Sequence, residues 1–312
     1  MQDVFFSATK KALANITATY DTVWPTAVGL WNLRCMVNGV KKEYPSITDA
    51  QLTAKFSLGS GIHGVNYKRA FVDHSWEKQQ SDFAWILLNS TIPIFEGWLE
   101  ELKQDVFPDL KVKEMQFPIR IQTEVTRLTT NESSVLKDCF YNSYSSKRDR
   151  CYPHIDSLMY CYRVFKGIRN CYMHNGSKTD DKLITAYNDY LPHQNTGSLC
   201  VSEVPELYTP VLDNPIKISL RGVVGFSYIL IKIMVSLDAE LLRSLNAETE
   251  FLRRYRESHI DKNGHFIRRT LKSDKRQAEN QVSRYVSQCR FSKPADVEEM
   301  RNFLLSHQLV SR

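Results

Sequence analysis

The chain has 312 residues, 42% hydrophobic and 24% charged, with 41 Lys and Arg against 35 Asp and Glu. That mixture excludes a mainly disordered or collagen-like protein and leaves room for two domains, or one domain with appendages, around a sizeable core. Seven cysteines, an odd number scattered from Cys35 to Cys289, and an opening MQDVFFSATKKALAN without a charged start and long apolar run predict free thiols, a reducing cytoplasm and no targeting segment.

The net charge of +6 is unevenly spread. Residues 251–312 hold 14 Lys and Arg against 7 Asp and Glu, a balance of +7, which leaves 27 against 28 for residues 1–250. The asymmetry fits a polyanionic partner such as nucleic acid, and equally a solvated basic face with no partner.

In chain order, residues 1–80 read as helical, broken at Pro25 and Pro45, with a glycine-rich turn SLGSGIHG after QLTAKF. Trp85, Leu88, Ile92, Phe95, Leu99 and Leu102 then recur at helical spacing over residues 82–107 despite Pro93, and Pro108 stops the helix. The less regular stretch 108–150 includes FPIRIQTEV, a candidate strand. HIDSLMYCYRVFKGIRNCYMHNG follows, with Ile155, Leu158, Met159, Tyr162 and Phe165 on one face, Pro153 in the first turn and Gly176 just past the end. A polar loop of about forty residues, rich in proline, separates it from an apolar helix over about 220–245. GVVGFSYILIKIMVSL in that helix is too short for a membrane span and carries Lys232, so a buried helix is expected. From about 246 the chain alternates basic and apolar residues, as two or three short helices would.

Several motifs carry less than their spelling offers. Gly59, Gly61 and Gly64 match a dinucleotide-binding turn, but no alternating strand and helix surround them, so a plain turn is the better reading. Cys151 with His154 and Cys171 with His174 form two C-x-x-H pairs, yet the helix between them holds the pairs about 30 Å apart, too far for one zinc. No metal and no cofactor is expected.

RNCYMHNG, residues 169–176, is more informative. With Arg169 at zero on a helical wheel, Lys166, Asn170 and His174 fall at about 60°, 100° and 140°, a polar face beside the apolar one. Asn170 and His174 are one turn apart, and Arg169 is long enough to reach round. The same residues also suit a solvated helix end, where basic groups favour the helix dipole.

The R-N-x-x-x-H pattern near a helix end, followed by Asn-Gly, closely resembles the signature of the HEPN superfamily. The surroundings are similar too: an earlier helix with IPIFEGWLEEL, the motif helix, a polar loop after HNG, and a final apolar helix ending in LDAEL. The resemblance covers about residues 82–245. It implies a HEPN-like helical bundle at 81–245 and leaves the flanks unexplained; with the residue patterns of those flanks, the expectation is an all-α or mainly α protein with an N-terminal helical region (1–80) and a basic C-terminal helical module (246–312). The resemblance implies a metal-independent endoribonuclease, a toxin or antiviral defence effector, with Arg169, Asn170 and His174 catalytic and a homodimer uniting two motifs in one cleft. An antitoxin or defence-system protein is then a further partner, and no membrane is.

In that reading Lys166 and Asn175 support substrate binding, and the Met173 and Phe165 side of the helix supports the dimer contact. Arg253, Arg254, Arg256, Arg268, Arg269, Lys272, Lys275 and Arg276 are candidates to hold RNA, Arg268 and Arg269 foremost. Phe251, Tyr255, Phe266 and Tyr285 suit either base stacking or a small core. Winged-helix-like DNA binding and a non-catalytic scaffold with the same fold are the alternatives.

Overall fold

The computed structural model describes residues 3–312. The chain is mainly α: α1 Ser7–Glu43, α2 Asp49–Ser57, α3 Trp76–Asp105, α4 Arg120–Leu128, the short α5 Ser134–Leu136 and α6 Asn142–Ser145, then α7 Ile155–His174, α8 Asp181–Tyr190, α9 Leu220–Leu241, α10 Ala247–Ser258, α11 Lys275–Gln288 and α12 Val297–Ser306. Two-residue strands β1 Arg269–Thr270 and β2 Val310–Ser311 pair in parallel and tie down the chain end.

The centre is α9, which packs on α1, α3 and α7. It is long and apolar enough to cross a bilayer by length and composition, with a mean hydropathy of 1.7, yet 67% of that window is buried inside the molecule. Lys232 in its middle is 3% exposed and paired with Asp149 at 2.9 Å, so its charge is compensated within the protein.

One contiguous core crosses all three regions expected from the sequence. Val4, Phe5 and Phe6 share it with Phe140, Phe251 and Phe291. The rings of Phe5 and Phe291 lie 5.0 Å apart, as do those of Phe251 and Phe291. The fully buried Asp238 of α9 clasps the N-terminal segment, accepting hydrogen bonds from the backbone amides of Phe5 at 2.6 Å and Phe6 at 3.0 Å. A satellite cluster of Val37, Leu52, Tyr67 and Phe71 holds the far end of α1 against α2 and the turn at 65–72.

Three expectations are corrected. Pro25 does not break α1, which runs unbroken through it. The amide lost at Pro25 is tolerated because α1 packs along α3 and α9 and is held at its far end as well. FPIRIQTEV is helical from Arg120, because Ile121, Val125 and Leu128 bury at a spacing of i, i+4, i+7, and Ile119 turns the chain at φ 64° just before. The polar loop after the motif contains α8, capped by Asp180, whose carboxylate accepts from the Leu183 amide at 2.8 Å, and buried along Leu183, Tyr187 and Tyr190. The three glycines of GSGIHG all take positive φ in an exposed loop.

Candidate functional site

The motif helix is α7. Ile155, Leu158, Met159, Tyr162 and Phe165 are fully buried, and Val164, Ile168 and Cys171 bury on the adjoining side. The Phe165 ring stacks on Phe226 of α9 at 4.3 Å, and Tyr172 stacks on Trp85 of α3 at 3.8 Å, fixing both the middle and the end of the helix. Phe165 is therefore a core residue, unavailable for the dimer contact expected of it; Met173, 51% exposed, remains on the surface.

The helix stops where the sequence says it must. Gly176 and Ser177 take φ of 58° and 63°, and the Asn175 amide donates to the Cys171 carbonyl at 2.9 Å. The Asn175 side chain donates to the Lys178 carbonyl at 3.0 Å, closing the turn. Its side-chain amide, though exposed, is thus engaged in the turn.

Lys166 is likewise engaged. Its ammonium lies 2.6 Å from Glu96 of α3 and also donates to Gln116, while Tyr162 donates to the same Glu96 carboxylate at 3.2 Å. Burial drives the Tyr162 phenol well above its ordinary pKa, the Glu96 charge adds to the rise, and Arg163 and Arg169 oppose it. Glu96, Gln116 and Tyr162 are thus the anchors of this flank. Sequence reasoning missed them, although Glu96, a carboxylate beside Phe95 in an otherwise apolar stretch, is the signal that such an anchor leaves.

What stays free is the tip of the same flank. Arg169 is half-buried, and its Nη1 donates to the Asn170 side-chain oxygen at 3.4 Å. Its Nε is buried without a hydrogen-bond partner among the described residues. Asn170 and His174 are exposed, one turn apart. Arg169 and Asn170 thus touch, and His174 follows one turn after Asn170 on a helix end pinned by aromatic stacking.

Arg268 and Arg269 lie elsewhere. They sit at β1, which pairs with β2, and β2 packs on α12. Arg268 donates to the Val310 carbonyl at 3.1 Å, and Arg269 lies over the Tyr285 ring at 5.3 Å. Phe251, Tyr255 and Tyr285 are buried, so these aromatics pack a core. Cys151 and Cys171 are buried free thiols near opposite ends of α7, and among the described residues no group of three His, Cys, Asp or Glu is placed to hold a metal ion. Comparison with protein families, with curated proteins and with solved structures gives no match for this chain.

Proposed function

We propose that the Arg169, Asn170 and His174 tip is the site of a metal-independent endoribonuclease of HEPN type. The observation that carries the reading is selective freedom: neighbouring Lys166 and Asn175 are tied into the fold, while Asn170, which accepts from the Arg169 guanidinium, and His174, one turn on, stay exposed. Such a tip suits RNA cleavage by the ribose 2′-hydroxyl. The O2′–P bond forms as the P–O5′ bond breaks; an imidazole takes the 2′-hydroxyl proton, and an imidazolium gives one to O5′. Arg169 neutralises charge building on the phosphorane oxygens, and Asn170 orients the guanidinium or donates to a phosphate oxygen.

One motif holds one histidine, so base and acid together call for two copies of the chain, with a twofold axis beside α7 and Met173 at the contact. The biological role in this reading is that of a cytoplasmic toxin or antiviral effector restrained by a partner protein.

The test is incubation of purified protein with end-labelled RNA in EDTA. Cleavage leaving 2′,3′-cyclic phosphate and 5′-hydroxyl ends, lost in Arg169→Ala and His174→Ala proteins of unchanged circular dichroism, supports the proposal. Uncut RNA that is nevertheless bound assigns the tip to a non-catalytic scaffold.

A further inference from the structure

On a different face of α7 from His174, carried by Val164 and Ile168, lies a cavity of about 520 Å³ between α7, α8 and the strap 208–217. That volume is within the roughly 300–1,000 Å³ of small-molecule sites. Val164, Ile168 and Leu183 form an apolar floor, and Tyr187 and Tyr208 bring two aromatic rings to the walls. The Tyr187 hydroxyl is hydrogen-bonded to the Thr209 hydroxyl at 3.2 Å, which fixes that ring in place.

The polar chemistry of the lining is one-sided. Among the described residues Lys217 is the only charged one in it and no carboxylate lines the space, so an anion is favoured over a cation. The side chains of Lys217 and of Asn214, which offers both a donor and an acceptor, are exposed and have no hydrogen-bond partner among the described residues. Aromatic walls, an amide able to read a heterocycle edge and one cation at the mouth together fit a nucleobase joined to a phosphate. We infer that this cavity is a binding site for a nucleoside monophosphate, with the base between the tyrosines, Asn214 at its edge and Lys217 on the phosphate.

The site is tied to the motif turn. The Thr179 amide donates to the Asn214 carbonyl at 3.0 Å, the Asp213 amide to the Thr179 carbonyl at 3.1 Å, and the Ile216 amide to the Ser177 carbonyl at 2.9 Å. A ligand that orders the strap therefore also orders residues 175–179, the turn that ends the helix carrying His174. The binding claim stands independently of the nuclease reading, since it rests on other residues.

Calorimetric titration with AMP, GMP, CMP and UMP tests it, with adenosine and inorganic phosphate as separate arms. At least one monophosphate is expected to bind about tenfold more tightly than adenosine, and inorganic phosphate more weakly still, because the base and the charge-assisted contact both contribute. Lys217→Ala should bring the monophosphate down to the level of adenosine. Val211→Trp, at a position 55% exposed on the strap, should fill the mouth and abolish binding without lowering the melting temperature. His174→Ala should bind as the unaltered protein does, and hydrogen exchange at 175–179 and 208–217 should slow on binding. No heat from any monophosphate at concentrations on the order of millimolar, or binding undiminished in Val211→Trp, overturns the assignment.

Discussion

Arg254 and Arg169 are both half-buried arginines on helices, and they differ in what their guanidinium groups touch. Arg254 of α10 donates to the Phe5 carbonyl and, at 2.7 Å, to the Cys289 carbonyl, and it lies 3.9 Å from the centre of the Phe291 ring. Among the described residues, Arg169 of α7 donates only to its neighbour Asn170, and its buried Nε has no hydrogen-bond partner. The first holds the N-terminal segment and the C-terminal region together; the second has no such structural partner among the described residues. The basic excess of residues 251–312 is thus partly architecture. Arg253 pairs with Glu250 and Glu257, and Lys275 with Glu298. Truncation at residue 251 would strip Phe251 and Phe291 from the core, so it cannot isolate the role of the charge.

The sharpest contrast comes from activity. His174→Ala and Arg169→Ala should each lower RNA cleavage by about 10²–10⁴-fold, the usual worth of a general acid–base group or an anion donor. His174 is exposed, so its removal should leave urea-unfolding free energy within about 0.5 kcal/mol. Full activity in both proteins would sink the site assignment.

Asp238 should show the next largest effect, in stability. Asp238→Asn weakens the acceptor of the Phe5 and Phe6 amides and should cost about 1–3 kcal/mol at neutral pH. Burial raises this carboxyl from its ordinary 3.8 to about 6, against the pull of its hydrogen bonds, so the native state holds the proton longer than the unfolded state. Its contribution is therefore fully present below about pH 4 and is lost as pH rises through about 6, on the order of 3 kcal/mol in all. Denaturation curves across that window should show this slope in the unaltered protein and not in Asp238→Asn; parallel profiles would place the titration elsewhere.

Arg254→Ala tests the architectural side of the comparison. Loss of three carbonyl partners, those of Phe5, Cys289 and Arg290, and of a ring contact should destabilise by about 2 kcal/mol in urea melts while leaving RNA affinity per folded molecule unchanged. A stable protein with weakened RNA binding would reverse the division between the two arginines.

Smaller effects distinguish the anchoring residues from the exposed charges. Lys166→Ala and Glu96→Gln should each cost about 1 kcal/mol and be less than additive when combined, as partners in one partly buried pair. The triple change of the exposed Arg256, Lys272 and Arg276 to Ala should leave stability within about 0.5 kcal/mol. If these side chains meet RNA, the slope of log affinity against log salt should flatten by about 2. An unaltered slope would make them solvated surface.

The sequence by itself determined the mainly α class, the course of α3, α7 and α9, and the end of α7 at Gly176, because these depend on helical period, proline and glycine, which act within a few residues of themselves. It also placed Arg169, Asn170 and His174 on one flank, since spacing on a helix fixes direction. Tertiary structure decided which polar groups remain free. Lys166 and Arg169 look alike on a helical wheel, and only the arrival of Glu96 from α3, 70 residues earlier in the chain, ties down the first and leaves the second. The same holds for Arg254 and the Phe5 carbonyl, 249 residues apart, and for Asp238 and the amides of Phe5 and Phe6. Local period cannot report such pairings, because whether a charge is satisfied depends on contacts between segments that the sequence keeps far apart and that packing of the core brings together.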